Sequence, residues 1–477
     1  MFASNLRLSA SASRSSAPAS PGPTLGAVSG AVLVGLLAAC GATSRAVDND
    51  VKQIRISIDV DDRHQTLEGF GAAIAWYDDW LTQHPNKAEL YDVIFGDLGI
   101  DILRLRNRFR YQESFAVESA EIVREGSRSL GRDLKVLMSS WSPPADLKAS
   151  GQEDCNEQER ATCTLKRSDG EFPYARFADY WSDALDAYAE LDIAPTFISL
   201  QNEPNFHPPF WEGCYFSETE SSDWPGYAEA LDAVTQRFAQ RAQSPKILGP
   251  ETAGLQDNQV QDYVDALDSS QLAGIAHHLY SGGNWQAPDS YAQSMRSLHR
   301  TYPDLPIFQT EFSPDGGDAA AFEMAWLIHN ALVEADAAAY VYWDLIWDDD
   351  GLVAVENPYL QGDWQTERGY QIRPNYYALR HFAKFTDPGF VRVGAVSSAD
   401  AIKVSAYLAP DADELTLVIL NVSELLRNVS IDIGLAGFQA ELIMTTADAA
   451  WQDLGSFEID DELALPGRGI ATIHYSR

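Results

Sequence analysis

Between residues 68 and 384 the chain passes eight times through a short apolar segment of strand type, and helix-period patterns fill most of the intervals. That rhythm limits the fold more than any single motif does. The strand-type segments are 68–73, 102–106, 134–138, 195–200, 246–250, 274–280, 306–310 and 339–343. Helical patterns occupy 87–95, 177–191, 226–243, 260–267, 291–300, 319–335 and 376–384. Eight strand-helix units predict an α/β fold of the TIM type, a (β/α)8 barrel. A doubly wound open sheet would carry a Gly-rich phosphate loop after an early strand, and this sequence has none.

From residue 391 the rhythm changes to short alternating strands at 402–407, 415–421, 429–433, 440–445 and 469–475, separated by turn residues. This is the pattern of a β-sandwich. Near the other end, Ile54-Arg55-Ile56-Ser57-Ile58-Asp59-Val60 alternates apolar and polar residues and has no place in the barrel count. It is expected to join the C-terminal strands, so that the side domain is built from both chain ends. The expected boundaries are 54–65 for that strand, 66–388 for the barrel and 389–477 for the β-sandwich.

Residues 1–40 read as targeting. The apolar run 25–39 is short for a membrane span and ends in small residues, Leu37-Ala38-Ala39-Cys40-Gly41. It resembles the bacterial lipoprotein signal, in which the cysteine is lipidated and becomes the new N-terminus. Cys40 is therefore the expected lipidation site and 41–53 a polar tether; an ordinary signal peptide with a cysteine at its cleavage site is the alternative. The chain is expected to be exported, either lipid-anchored to a bacterial membrane or cell surface, or secreted. In an oxidising compartment Cys155 pairs with Cys163 or with Cys214, and one thiol is left over. No Cys/His spacing suggests zinc, and neither a metal nor another cofactor is expected. The net charge of −36 argues against nucleic acid, and against any membrane contact other than a lipid anchor.

Active sites of such barrels lie at the C-terminal ends of the strands. Those ends carry Gly69-Phe70-Gly71, Arg104, Trp141, Asn202 with Glu203, His278 and Tyr280, Glu311, and Trp343. Polar or aromatic residues thus converge from seven of the eight predicted strands. In Phe197-Ile198-Ser199-Leu200-Gln201-Asn202-Glu203-Pro204, an apolar strand delivers an Asn-Glu pair to a turn. A lone carboxylate is costly to bury, but a strand end is a rigid support for a catalytic acid. Two glutamates facing each other across a barrel mouth suit acetal cleavage. One protonates the departing oxygen while the other meets the oxocarbenium-like transition state. Glu203 is the expected acid/base, because the neighbouring Asn202 can bind a sugar 2-hydroxyl. Glu311 is the expected nucleophile, kept ionised by Arg104 and Tyr280. A close pair implies retention of configuration. Twelve Trp and twenty Tyr add to this reading, since aromatic faces often line carbohydrate clefts.

Gln201-Asn202-Glu203-Pro204 and Gln309-Thr310-Glu311 resemble the large clan of retaining (β/α)8 glycosidases. Trp141-Ser142-Pro143-Pro144 and His278-Leu279-Tyr280 narrow the resemblance to glycoside hydrolase family 30. So does Tyr376-Tyr377-Ala378-Leu379, followed by Phe382-Ala383-Lys384-Phe385 and Pro388-Gly389. That family includes glucosylceramidases, endo-β-1,6-glucanases and glucuronoxylan endoxylanases, and the resemblance runs from residue 54 to the C-terminus. It implies the same roles for Glu203 and Glu311. It also implies that Trp141 and Trp343 pack against the sugar beside the cleaved bond, and that His278 and Tyr280 shape that pocket.

The stretch 200–215 is similar to the bacterial xylanase branch, so an endo-β-1,4-xylanase acting on xylan is the first reading. A β-glucosidase or glucosylceramidase-like enzyme and an endo-β-1,6-glucanase are the alternatives within the family. A lipid-anchored glycan-binding protein without catalysis is the alternative of another class, and the presence of both glutamates weighs against it. Glucuronate-dependent xylanases carry a basic residue in the loop after the eighth strand, where this chain has Asp344-Leu345-Ile346-Trp347-Asp348-Asp349-Asp350. Independence from glucuronate is expected, unless a cation or Arg373 compensates for the aspartates. The expected partner is a polysaccharide, bound by a monomer.

Overall fold

The computed structural model describes residues 53–110, 114–347, 351–458 and 461–477. The expected signal segment, the lipidation site at Cys40 and the aspartates at 348–350 lie outside the described residues.

The barrel is closed and parallel, and consists of β2 (Gly69–Ile74), β3 (Ile102–Arg106), β4 (Lys135–Ser139), β5 (Phe197–Ser199), β6 (Lys246–Thr252), β7 (Gly274–His278), β8 (Ile307–Glu311) and β9 (Ala337–Tyr342). β9 returns to β2 through the parallel pairing of Phe70 with Tyr340. All eight strands fall where the apolar segments place them. Strand side chains alternate between the two faces of a sheet, so one set points outward to the helices and the other into the barrel. The outward set, including Leu103, Met138, Ile198, Ile275 and Tyr340, belongs to the large core shared with the helices. The inward set is a small apolar layer of Ile102, Leu137, Phe197, Leu248, Ala276, Phe308, Ala339 and Val341. Phe197 and Phe308 meet edge to face across it, 5.3 Å between ring centroids. Strand spacing at β2 depends on Gly71, where a Cβ would lie 2.4 Å from the carbonyl oxygen of Ile102.

One long helix goes unread in the sequence pattern, α3 at Ser114–Leu130, which follows β3. Its interior Gly126 costs about 1 kcal/mol against alanine and breaks the apolar stripe. The glycine lets the Phe95 ring pack close, because a Cβ there would stand 3.0 Å from it, tighter than ordinary contact. The segment expected as one helix over 87–95 is α-helical at Lys87–Tyr91 and continues as a π-turn at Asp92–Asp97.

The side domain is one curled nine-stranded sheet whose strands lie in the order Gln452–Ser456, Gln439–Thr445, Ile470–Ser476, Glu414–Asn421, Ile402–Leu408, Val391–Ser397, Ile54–Thr66, Arg427–Asp432 and Glu462–Leu465. As expected, the N-terminal strand β1 (Ile54–Thr66) belongs to it. This strand pairs antiparallel with β13 (Val391–Ser397) and parallel with β16 (Arg427–Asp432). The curled sheet has its own apolar core, to which Ile54 and Ile56 contribute. The sequence pattern misses β13, β18 (Gln452–Ser456) and β19 (Glu462–Leu465). Gln452-Asp453-Leu454-Gly455-Ser456 buries none of its residues, so no apolar alternation marks it.

The sheet is bound to the barrel by buried polar contacts. His381, on the helix Pro374–Ala383, meets the hydroxyls of Thr472 at 2.8 Å and Thr445 at 2.7 Å. Burial, helped by the Arg380 charge, lowers the His381 pKa to about 3, so the imidazole is neutral.

Candidate active site

The same two-residue period that builds the inner apolar layer also builds the site above it. Two positions beyond Ile102, Leu137, Phe197, Ala276 and Val341 come Arg104, Ser139, Ser199, His278 and Trp343. The barrel interior therefore changes from apolar to polar within one step toward the strand C-termini. Arg104 sits at the centre of the polar layer, with no exposed surface. It donates to Glu311 at 2.5 Å and to the side-chain oxygen of Asn202 at 2.6 Å, and its Nε donates to the Ser139 hydroxyl at 3.2 Å. Its guanidinium lies 4.5 Å above the Trp141 ring. A guanidinium is a planar fork of five donors, which is why one residue can align several acceptors at once. With the Asn202 oxygen held by Arg104, its amide nitrogen is the group left for a ligand.

Glu203 and Glu311 come together from opposite sides of this layer. One carboxylate oxygen of each and a ring nitrogen of His278 all lie within 4.8 Å of one another. His278 Nδ1 is 3.0 Å from Glu203, and the Tyr280 hydroxyl donates to Glu311 at 3.0 Å. The Cα atoms of His278 and Glu311 are register partners on β7 and β8. Glu203 has φ +49°, a left-handed conformation that is unfavourable for a residue with a Cβ. Its amide donates to the Glu251 carbonyl at 3.0 Å, which holds the turn in place.

Glu251 is the residue that the sequence reading misses. It lies at the end of β6, the one strand whose terminus yields no candidate when the strand ends are read in order. It also has positive φ, +66°, and the ladder to β7 steps over it: Pro250 pairs with Ala276 and Thr252 with His277. Such an irregularity re-aims a side chain, here into the barrel. The Glu251 carboxylate is fully buried, 3.1 Å from Arg104 and 3.9 Å from His278 Nε2, and it accepts from Ser139 at 3.3 Å. The available signal is its position one residue past the apolar run Ile247-Leu248-Gly249-Pro250.

Three carboxylates and two cationic side chains therefore share one buried cluster. Burial raises the Glu203 carboxyl above its ordinary range, against the pull of His278. Burial also works to raise Glu251, but Arg104 and His278 outweigh it and hold the acid at about 2. Burial disfavours protonated His278, yet Glu311, Glu203 and Glu251 together raise its pKa to about 9. One neutral acid among the three would leave two carboxylates facing two cations, Arg104 and His278. A buried group of charges is tolerable only when it is paired in this way.

Above the cluster stands a wall of indoles. Trp76 meets Trp141 at 5.8 Å, Trp343 at 5.5 Å and Trp347 at 6.2 Å between ring centroids, and Trp141 meets Trp343 at 5.8 Å. Trp76 and Trp347 extend the pair expected from sequence. Asp344, next to Trp343, is buried, and burial lifts its carboxyl well above the ordinary range. All eight sequence-predicted residues, Arg104, Trp141, Asn202, Glu203, His278, Tyr280, Glu311 and Trp343, are joined in this one cluster, with Arg104 and His278 fully buried. Arg373, considered as a compensating charge, donates instead to Asp318 at 2.8 Å.

Glu203, His278 and Glu311 have metal-ligand identities, but Arg104 and His278 already supply the positive charge that a metal would bring. The other such group, Cys155, Cys163 and His207, offers no thiolate, because the two cysteines are disulfide-bonded. Of the two pairings open in the sequence, the structure has Cys155–Cys163. Cys214 is a buried free thiol, pushed up to about 12 by burial.

No family model matches the chain. It is 25% identical over 410 residues to the glucuronoxylanase XynC of Bacillus subtilis strain 168, covering 80% of each chain. It is 27% identical over 323 residues to the endo-1,6-beta-D-glucanase neg1 of Aspergillus fumigatus, covering 62% of this chain and 60% of that one. Among solved structures, the glycoside hydrolase family 30 subfamily 8 xylanase Xyn30A from Clostridium acetobutylicum matches with a TM-score of 0.68 at 21% identity. That match covers 89% of this chain and 100% of the xylanase.

Proposed function

We propose that this chain, a glycoside hydrolase of family 30, cleaves a β-linked polysaccharide internally by double displacement, and that the polysaccharide is β-1,4-xylan. The observation that carries the mechanism is the closeness of Glu203 and Glu311, with carboxylate oxygens within 4.8 Å. Retaining enzymes hold their two carboxyl groups roughly 5–5.5 Å apart, whereas inverting enzymes leave room for a water between them, at about 6.5–9.5 Å.

In the first step Glu311 attacks the anomeric carbon and Glu203 gives its proton to the departing glycosidic oxygen. In the second, Glu203 takes a proton from water, which releases the sugar from Glu311. Burial raises the Glu203 carboxyl above its ordinary range, which is the direction a general acid needs. Arg104 and Tyr280 each donate to a different oxygen of Glu311, fixing its orientation for attack. The amide nitrogen of Asn202 is placed for the 2-hydroxyl of the sugar. Trp141 and Trp343 provide faces for its ring.

The xylan reading is supported by the relative with the wider coverage, a glucuronoxylanase aligned over 80% of both chains. A β-1,6-glucan is the second reading, favoured by the 27% identity to an endo-1,6-glucanase. Glucuronate independence rests on the acidic loop after β9 and on the engagement of Arg373 with Asp318. Product analysis on linear xylan, glucuronoxylan and a β-1,6-glucan separates these readings. We expect oligosaccharides from both xylans at similar rates. Turnover of the β-1,6-glucan alone would replace the substrate assignment, and a requirement for glucuronate would refute the independence. The same reading carries export with a lipid on Cys40, which intact-mass measurement of the mature N-terminus tests.

A further inference from the structure

The loop that follows Glu203 carries three large rings that the fold leaves in solvent. Phe206, Phe210 and Trp211 are 38%, 66% and 37% exposed. Single exposed apolar residues are ordinary, but Phe206 and Phe210 both meet Trp211. Phe206 and Trp211 are 6.3 Å apart and within 36° of a common plane, and Phe210 meets the Trp211 edge at 4.9 Å.

The cluster is held rigidly. The Cys155 amide donates to the Trp211 carbonyl at 2.9 Å, and the Glu157 amide donates to Pro209 at 3.0 Å. Asp154 and Glu212 form a β-bridge, and buried Lys148 donates to the Gly213 carbonyl. The segment on the other side of these bonds is closed by the Cys155–Cys163 disulfide. Gly213 permits the close approach, since a Cβ there would lie 2.6 Å from the Pro208 ring. An exposed aromatic surface fixed in this way has already lost the conformational freedom that ligand binding would otherwise remove.

Its position is also fixed relative to the cleft. The Phe206 amide donates to the Glu203 carbonyl at 2.9 Å, so the first ring stands one turn beyond the acid. Glu212 pairs with Arg106, whose guanidinium lies 4.8 Å above the ring of Trp76 in the indole wall. The ribbon therefore borders the same mouth. Because Glu203 delivers its proton to the departing oxygen, the chain that leaves runs past this side of the site.

We propose that Phe206, Phe210 and Trp211 form a stacking platform for the leaving-group half of a β-linked glycan, and that the platform gives the enzyme its preference for long chains. The proposal rests on Glu203 being the proton donor. Pyranose rings present apolar C–H faces, which pack on aromatic faces without a specific hydrogen-bond pattern.

The test compares kcat/KM for the polymer with kcat/KM for an aryl glycoside of the same donor sugars, whose leaving group is a single ring. In Trp211→Ala the polymer-to-aryl ratio should fall about tenfold, the scale of one lost ring contact with its buried area. Trp211→Phe should retain most of the ratio. An unchanged ratio in Trp211→Ala would overturn the platform, as would an equal fall of both constants in Trp211→Ala and Trp211→Phe. A wild-type enzyme inactive on every β-glycan and aryl glycoside would overturn the glycosidase reading and the platform with it. The two failures are therefore distinguishable.

Discussion

Glu251→Gln isolates the electrostatic design of the site. The change keeps the shape of a buried side chain and removes one negative charge from a cluster that is balanced when Glu203 is protonated. His278 reports the loss most directly, because Glu251 is 3.9 Å from its Nε2 and neither group is exposed. Two unit charges at 3.9 Å and an effective dielectric of ~20 interact by about 4 kcal/mol, or roughly three pH units. With Glu203 neutral, Glu311 at 3.9 Å is the carboxylate that remains to support the imidazolium. His278 should therefore fall from about 9 to the neutral range in the variant. Histidine-selective NMR titration of wild type and variant measures this shift, and kcat/KM in the variant should gain a new ionisation near neutral pH. If His278 titrates at the same pH in both proteins, Glu251 is not its charge partner and the account of the balanced cluster is wrong.

Glu203→Ala should lower kcat on polysaccharide by about 10²–10⁴-fold, the usual contribution of a general acid. Cleavage of an aryl glycoside with a very acidic leaving group should suffer far less, and added azide should restore turnover as a β-glycosyl azide. Azide without effect would argue against the acid/base assignment. His381 is neutral in the fold at a pKa near 3 and would return to about 6.5 on unfolding. A depressed folded pKa gives stability that is present above the unfolded value and lost as pH falls below it. Between pH 6.5 and 4.5, wild type should therefore lose about 2 kcal/mol more in total than His381→Gln does in urea unfolding. Equal slopes would refute this role. Iodoacetamide should leave native Cys214 unmodified, since its thiol is buried and pushed up to about 12, and should label it after denaturation. Rapid labelling of the native protein would contradict the packing around it.

The fold was legible because its main signals are local. Continuous apolar runs ending in polar residues mark each barrel strand, and alternation marks Ile54 to Val60 as a strand with one dry face. The elements that escaped lack such a signal for identifiable reasons. Gly126 interrupts the stripe of α3 to admit the Phe95 ring, and the strand Gln452–Ser456 buries nothing. Within the site, seven strand ends announced themselves through aromatic or ionisable residues. Glu251 did not, because it sits one residue beyond an apolar run at a positive φ where strand alternation no longer says which way a side chain points. Trp76 escaped for a similar reason: it comes from the loop after β2 and reaches the indole wall only through tertiary packing. The choice of cysteine partner was never a sequence question, since it depends on how two loops meet.

The central claim is that Glu203 and Glu311 act as a retaining pair. Its most direct test is the anomeric configuration of the first product, followed by ¹H NMR on a soluble β-linked oligosaccharide before mutarotation sets in. A retaining pair predicts that the β-anomer signal rises first and the α-anomer appears only as the sugar equilibrates. An α-anomer that rises first would mean direct attack by water, and would contradict the assignment of Glu311 as nucleophile.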